Sequence, residues 1–99
     1  MKLIVKKSEL SAAPERLARR AGYGYAPGQG SRQDSFVRSL GRYGYPRFHL
    51  YIQKNSDNII FNLHLDQKRP SYTGAAAHNA EYDGEVVEAE MERIKTIIQ

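Results

Sequence analysis

The strongest constraint on this chain is a double alternation in its middle. Phe48, Leu50 and Ile52 alternate with His49, Tyr51 and Gln53. After Asn55-Ser56-Asp57-Asn58, the residues Ile59, Phe61, Leu63 and Leu65 alternate with Ile60, Asn62, His64 and Asp66. Period-two patterning on both sides of a polar turn predicts an antiparallel hairpin with one buried face. A slip of one residue would send every apolar side chain to the wrong face, so the register is readable as well. Pairing Lys54 with Ile59 sets Phe48 opposite Leu65, Leu50 opposite Leu63 and Ile52 opposite Phe61. The other face then pairs Arg47 with Asp66, His49 with His64 and Tyr51 with Asn62. Shifts by two residues keep the same faces and stay open.

Weaker signals flank the hairpin. Lys2–Lys6 alternates and reads as a short strand. Pro14–Ala21 reads as a helix, with Pro14 in the first turn, Gly22 as a left-handed cap, and Leu10, Leu17 and Ala21 as the buried stripe. The glycine-rich stretch Ala21–Ser31 reads as a loop. It carries neither G-x-G-x-x-G nor a phosphate-loop lysine, and it follows a helix, so it is no nucleotide fingerprint. Ser31-Arg32-Gln33-Asp34 fits a capping box ahead of Phe36, Val37 and Leu40, which predicts a second short helix closed by Gly41. Residues 67–83 contain Pro70 and Gly74 without a period and read as a long irregular loop. Asp83 is placed to cap a final helix from about Gly84 to Ile98, with Val87, Met91, Ile94 and Ile98 on its apolar stripe. The order strand, helix, helix, hairpin, helix predicts an α+β fold: a small antiparallel sheet with helices packed on one face.

Size and composition narrow the chemistry. With 99 residues the chain has room for one small domain, taken here as 1–99. The absence of cysteine excludes thiolate zinc fingers, disulfide scaffolds and a cysteine nucleophile, and the expectation from sequence is that catalysis comes from His, carboxylates, Tyr or Arg. Leu3-Ile4-Val5 is too short an apolar run for a leader or a membrane span, which makes the cytoplasm the expected compartment. The net charge of +4 hides a division: residues 1–54 carry +8 and residues 55–99 carry −4. Six acids and no base lie between Glu81 and Glu92. Such asymmetry points to a polyanion partner on one part of the molecule.

Three groups of residues are candidates for function. Arg16, Arg19, Arg20, Arg38, Arg42 and Arg47 are interleaved with Tyr23, Tyr25, Tyr43 and Tyr45, and Lys68 and Arg69 extend the theme. Arginines suit phosphates and tyrosines offer stacking faces, a combination that favours unpaired RNA bases over a duplex groove. This makes a nucleic-acid-binding module, for RNA above all, the first expectation. The second group is the polar face of the hairpin. There His49 and His64 stand across from each other with Asp66 beside them, as an acid–base pair for a hydrolase or ribonuclease. Arg47, Lys68 or Arg69 would offset the charge developing on phosphorus. If the loop brings His78 over this face, His49, His64 and His78 with a carboxylate would suit zinc or another divalent metal. The third group is the loop and helix entry around Glu81 and Asp83, read mainly as a helix start and secondarily as metal ligands. The acidic last helix also admits a homodimer seam or a protein–protein interface.

The stretch from Tyr45 to Gly84 resembles a family of small bacterial proteins to which no activity is assigned. The residues that carry the likeness are Tyr45-Pro46-Arg47-Phe48-His49-Leu50-Tyr51 and Phe61-Asn62-Leu63-His64-Leu65-Asp66-Gln67-Lys68. That resemblance implies no site residues. Separately, the expected element order is similar to that of the RNA-cleaving toxins of bacterial toxin–antitoxin modules, which implies mRNA cleavage by a few side chains on a sheet. This second likeness is one of topology alone.

Overall fold

The computed structural model describes residues 1–30, 33–67 and 80–99. The fold is α+β. Strand β1 (Lys2–Lys6) runs through a short 3-10 turn (Lys7–Glu9) toward helix α1 (Pro14–Arg20). Then come β2 (Gly24–Ala26), β3 (Ser35–Ser39), β4 (Arg47–Lys54), β5 (Asn58–Asp66), β6 (Ala80–Glu81) and α2 (Glu85–Ile98). All pairings are antiparallel, in the order β1-β5-β4-β3-β2, and β6 pairs with β5 beyond the end of β1.

The central hairpin has the register that the alternation predicts, from Lys54 opposite Ile59 to Arg47 opposite Asp66. Its turn is closed by Asn55, whose Oδ1 accepts the backbone N–H groups of Asp57 (3.1 Å) and Asn58 (2.7 Å). An asparagine side chain that bonds forward in this way mimics a backbone turn, which is why the pattern ends there.

The second helix expected between Ser31 and Gly41 does not form; β3 occupies Ser35–Ser39 instead. Its residues complete the free edge of β4, with Phe36 opposite Leu50 and Arg38 opposite Phe48. An isolated helix of that length is marginal in water, whereas an open strand edge offers a full row of hydrogen bonds. Asp34 has no helix to cap. It takes the Tyr25 hydroxyl (2.6 Å) and the Gly28 N–H (2.8 Å), closing the β2–β3 connection. The expected loop Ala21–Ser31 accordingly contains a strand, β2. Within the expected loop 67–83, Ala80–Glu81 forms β6. The cap of α2 is Gly84, at φ 116°, and no side chain caps that terminus, so Asp83 does not play the expected role. Among the described residues one α-helix, not two, lies between β1 and the hairpin, and the order departs from the toxin-like one.

Apolar residues from both layers form one buried cluster. Leu17 and Ala18 of α1 and Val87, Met91, Ile94 and Ile98 of α2 join Val5, Phe36, Phe48, Leu50, Ile59, Phe61, Leu63 and Leu65 from the strands. Because side chains alternate along a strand, the opposite face of β4 and β5 carries the polar set. One turn controls how β4 enters the sheet. A Cβ added at Gly41 would lie 2.1 Å from the Tyr45 carbonyl oxygen, which is backbone and cannot move aside cheaply. Gly41→Ala is expected to cost about 1–3 kcal/mol, read as a lower urea midpoint at unchanged m-value. An unchanged midpoint would show that the turn rearranges freely.

Candidate active site on the open face of the sheet

The side chains of Arg47, His49 and Tyr51 on β4 stand beside those of Asn62, His64 and Asp66 on β5, all on the face away from the buried cluster. Asp66 organises them. Its Oδ2 accepts from His49 Nδ1 (3.1 Å) and Arg47 Nε (3.3 Å), and its Oδ1 accepts from His64 Nε2 (2.8 Å). The side chains of His49, His64 and Asp66 are 13%, 12% and 17% exposed, so these bonds are shielded while an edge of the group stays open to a ligand. Burial pushes the Asp66 carboxyl up. The hydrogen bonds from His49 and His64 outweigh it and hold the group well below the usual carboxylate range.

An ionised carboxylate only accepts hydrogen bonds, and this fixes both imidazole tautomers. His49 carries its proton on Nδ1 and His64 on Nε2, each directed at Asp66. The lone pair of neutral His49 is therefore on Nε2, where Ser35 Oγ lies at 2.6 Å. With His49 neutral, Ser35 is the donor in that bond. Its other acceptor, the Ala26 carbonyl, is at 3.5 Å, the outer limit of a hydrogen bond. Ser35, His49 and Asp66 thus form a hydroxyl–imidazole–carboxylate relay, and His64 occupies the second oxygen of the same carboxylate.

Aromatic rings form a row across this face. His49 stacks on Tyr51 (4.5 Å between centroids, 25° between planes), His64 lies 4.9 Å from His49, and Tyr82 lies 5.0 Å from His64. Tyr82 is 57% exposed, which leaves ring surface for a ligand. Arg47 sits over the Tyr45 ring at 4.7 Å. Two clefts flank the row. One, about 550 Å³, is lined by Gly28, Gln29, Gln33, Ser35, Arg47 and His49 among others. The other, about 380 Å³, is lined by Tyr51, Asn62, His64 and Tyr82 among others.

The basic and aromatic residues singled out in the sequence do not all gather here. Arg47 and Tyr45 do. Arg16, Arg19 and Arg20 are exposed on α1, whose Leu17 and Ala18 pack in the buried cluster, so the sheet separates them from His49. Arg38 pairs with Phe48 on the helix side of the sheet and contacts Glu90 at 3.5 Å. Tyr25, opposite Phe36, also belongs to that side. Arg42 and Tyr43 are exposed in the β3–β4 connection. Tyr23 corrects the stacking expectation: it is 3% exposed, with its hydroxyl on Glu90 Oε2 at 2.6 Å, and presents no ring face to a base. Lys68, Arg69 and His78 lie outside the described residues. Among the described residues, His49, His64 and Asp66 each offer one donor atom, all within 4.8 Å of one another, a donor set that zinc accepts. Asp83 is exposed.

Ser35 was not singled out from sequence, because a residue assigned to a helix has no cross-strand neighbour. The usable signal is Ser35-Phe36-Val37-Arg38-Ser39 read with period two, which sets Phe36 on one face and Ser35 on the other, while the pairing of β3 with β4 is what brings Ser35 to His49. No helix of the described residues is long and apolar enough to cross a membrane. The chain matches no known protein-family profile, no curated protein and no solved structure.

Proposed function

We propose that the open face of the sheet is the active site of a small histidine-dependent hydrolase acting on phosphodiester bonds, with single-stranded RNA as substrate. The observation that carries this reading is the sharing of Asp66 by His49 and His64. Phosphodiester cleavage needs one proton removed from an attacking hydroxyl as the new P–O bond forms. It needs another delivered to the departing oxygen as the old bond breaks. Two imidazoles poised on one carboxylate supply both, at a side chain whose ordinary titration lies near neutrality. Arg47 brings a cation beside the pair for the charge that builds on the phosphoryl oxygens. The row Tyr51, His49, His64 and Tyr82 offers flat faces to unpaired bases, which a duplex would not present. The +8 of residues 1–54 favours a polyanion generally, and the cytoplasm is the compartment the reading assumes. The likeness of Tyr45–Gly84 to a bacterial family adds no residue to this proposal.

A labelled single-stranded RNA is expected to be cleaved by the full chain in EDTA. Replacement of His49 or His64 by Ala should lower the rate by roughly 10²–10⁴-fold while far-UV circular dichroism is retained. Cleavage should weaken as salt rises, because Arg47 displaces counterions from the strand. Activity that appears only with added zinc would replace this reading by a metal-dependent one at the same three residues. No cleavage of any RNA under either condition would sink both.

A further inference from the structure

We infer that Ser35 is the nucleophile of this site, so that cleavage proceeds through a covalent phosphoserine intermediate and does not depend on a ribose hydroxyl. The inference rests on the acid–base reading of His49, but not on RNA as the substrate.

Three observations converge on it. The first is the direction of one hydrogen bond. Asp66 accepts from His49 Nδ1, from His64 Nε2 and from Arg47 Nε, so in the neutral ring His49 Nε2 offers a lone pair to the Ser35 hydroxyl at 2.6 Å. A serine whose proton already points at an imidazole backed by a carboxylate is the arrangement that makes a weak hydroxyl nucleophilic. The second is access. Ser35 is 5% exposed, yet it lines the 550 Å³ cleft, so a substrate group entering there meets it out of bulk water. The third is charge. Arg47 lines the same cleft and lies next to Asp66, placing a guanidinium where a phosphoryl oxygen would gain negative charge. Gly28 and Gln29, which follow β2, line the cleft as well.

The chemistry balances without a further reagent. Ser35 Oγ bonds to phosphorus and gives its proton to His49 Nε2, and Asp66 stabilises the imidazolium. The bond from phosphorus to the departing strand oxygen breaks, and that oxygen takes the proton from His49. Water then attacks the phosphoserine diester with His49 as base, the P–Oγ bond breaks, and Ser35 recovers a proton. The products are one strand ending in a hydroxyl and one ending in a phosphomonoester, and a deoxyribose strand is cut as well as a ribose one.

A fluorophosphonate probe tests the nucleophile directly, since Oγ attack expels fluoride and leaves a stable phosphonyl adduct. The expected result is a single adduct on the full chain, mapped by peptide mass spectrometry to Ser35 and absent in Ser35→Ala. Its rate of formation should fall by at least about 100-fold in His49→Ala and in Asp66→Asn. Two substitutions guard against one variant failing to fold. No adduct at Ser35, or an adduct forming equally fast without His49, overturns the inference. If RNA is cleaved to a 2′,3′-cyclic phosphate while Ser35 remains unlabelled, the histidine reading survives and the serine inference fails. If Ser35 is labelled through His49 while RNA stays intact, the nucleophile stands and the substrate proposal fails.

Discussion

Asp66→Asn is expected to lower turnover on a single-stranded RNA by about 10⁴-fold while the sheet remains folded. The size follows from what the substitution does to the imidazoles. A carboxylate accepts from both rings at once; an amide accepts with its oxygen and donates with its nitrogen. One of His49 Nδ1 and His64 Nε2 then faces a donor and must give up its proton to the other ring nitrogen. If His49 flips, its Nε2 gains a hydrogen directed at Ser35 and loses the lone pair that receives the serine proton. Kinetics across pH distinguish this from a packing defect, because a flipped ring changes the shape of the rate profile as well as its height. A rate within tenfold of the native one would remove Asp66 from the mechanism.

The same carboxyl also links stability to pH. Its folded value is depressed from an ordinary 3.8, so its ionised form favours the folded chain. That contribution is complete above about pH 4 and is lost as pH falls toward the folded value. Acid unfolding of the native chain should therefore begin below pH 4, and Asp66→Asn should flatten the curve there. Glu90 is depressed as well, its burial being outweighed by the hydrogen bonds from Arg93 and Tyr23, and it adds to the same trend.

The second large effect is on stability and falls at Glu90, on the helix side. Its side chain is 4% exposed and accepts Arg93 Nε (2.8 Å), Arg93 Nη2 (2.9 Å) and the Tyr23 hydroxyl (2.6 Å), with Arg38 at 3.5 Å. Arg93 also reaches the Ala21 carbonyl at 2.6 Å, so this group ties the end of α1 to α2 and β3. Burial, reinforced by the Glu90 carboxylate, pushes the Tyr23 hydroxyl far up, so it acts only as a proton donor to that carboxylate. Glu90→Ala strands the buried hydroxyl and leaves two guanidinium groups facing a gap. Both arginines are about a third exposed and recover some hydration, so the loss should be about 2–4 kcal/mol, or roughly 10–25 °C in Tm for a chain of this size. Tyr23→Phe, which removes one partner and leaves the ion pairs, should cost roughly 1 kcal/mol. Thermal unfolding of both variants checks the ordering. A Glu90→Ala chain as stable as the native one would mean that the network contributes no net stability.

The hairpin was legible because its evidence is local and redundant. Seven apolar residues alternate over one turn, and Asn55 closes that turn through its own side chain, so only one phase keeps the apolar set together. His49, His64 and Asp66 inherited their juxtaposition from that phase. The segment around Phe36 was misread for the opposite reason. Its short apolar pattern fits helix or strand about equally well, and the choice was made by the unpaired edge of β4, about ten residues further along the chain. A polar helix-capping pattern at Ser31–Asp34 pointed the wrong way because Asp34 serves the β2–β3 connection with the same acceptor atoms. The arginines scatter for a different reason. Net charge along the chain does not reveal which side of a sheet a residue occupies, and α1 turned three of the arginines away from the histidines.

Periodicity and turn chemistry along the chain were enough to predict a hairpin, its buried and polar faces, and His49, His64 and Asp66 together on the polar one, with shifts of two residues left to the structure. These depend on neighbours a few residues apart and on the geometry of alternating side chains. The placement of Ser35 against His49, the burial of Tyr23 on Glu90 and the separation of Arg16, Arg19 and Arg20 from the open face depend on how distant segments dock. Docking is decided by competition for one sheet edge and one apolar face, and no local pattern carries that information.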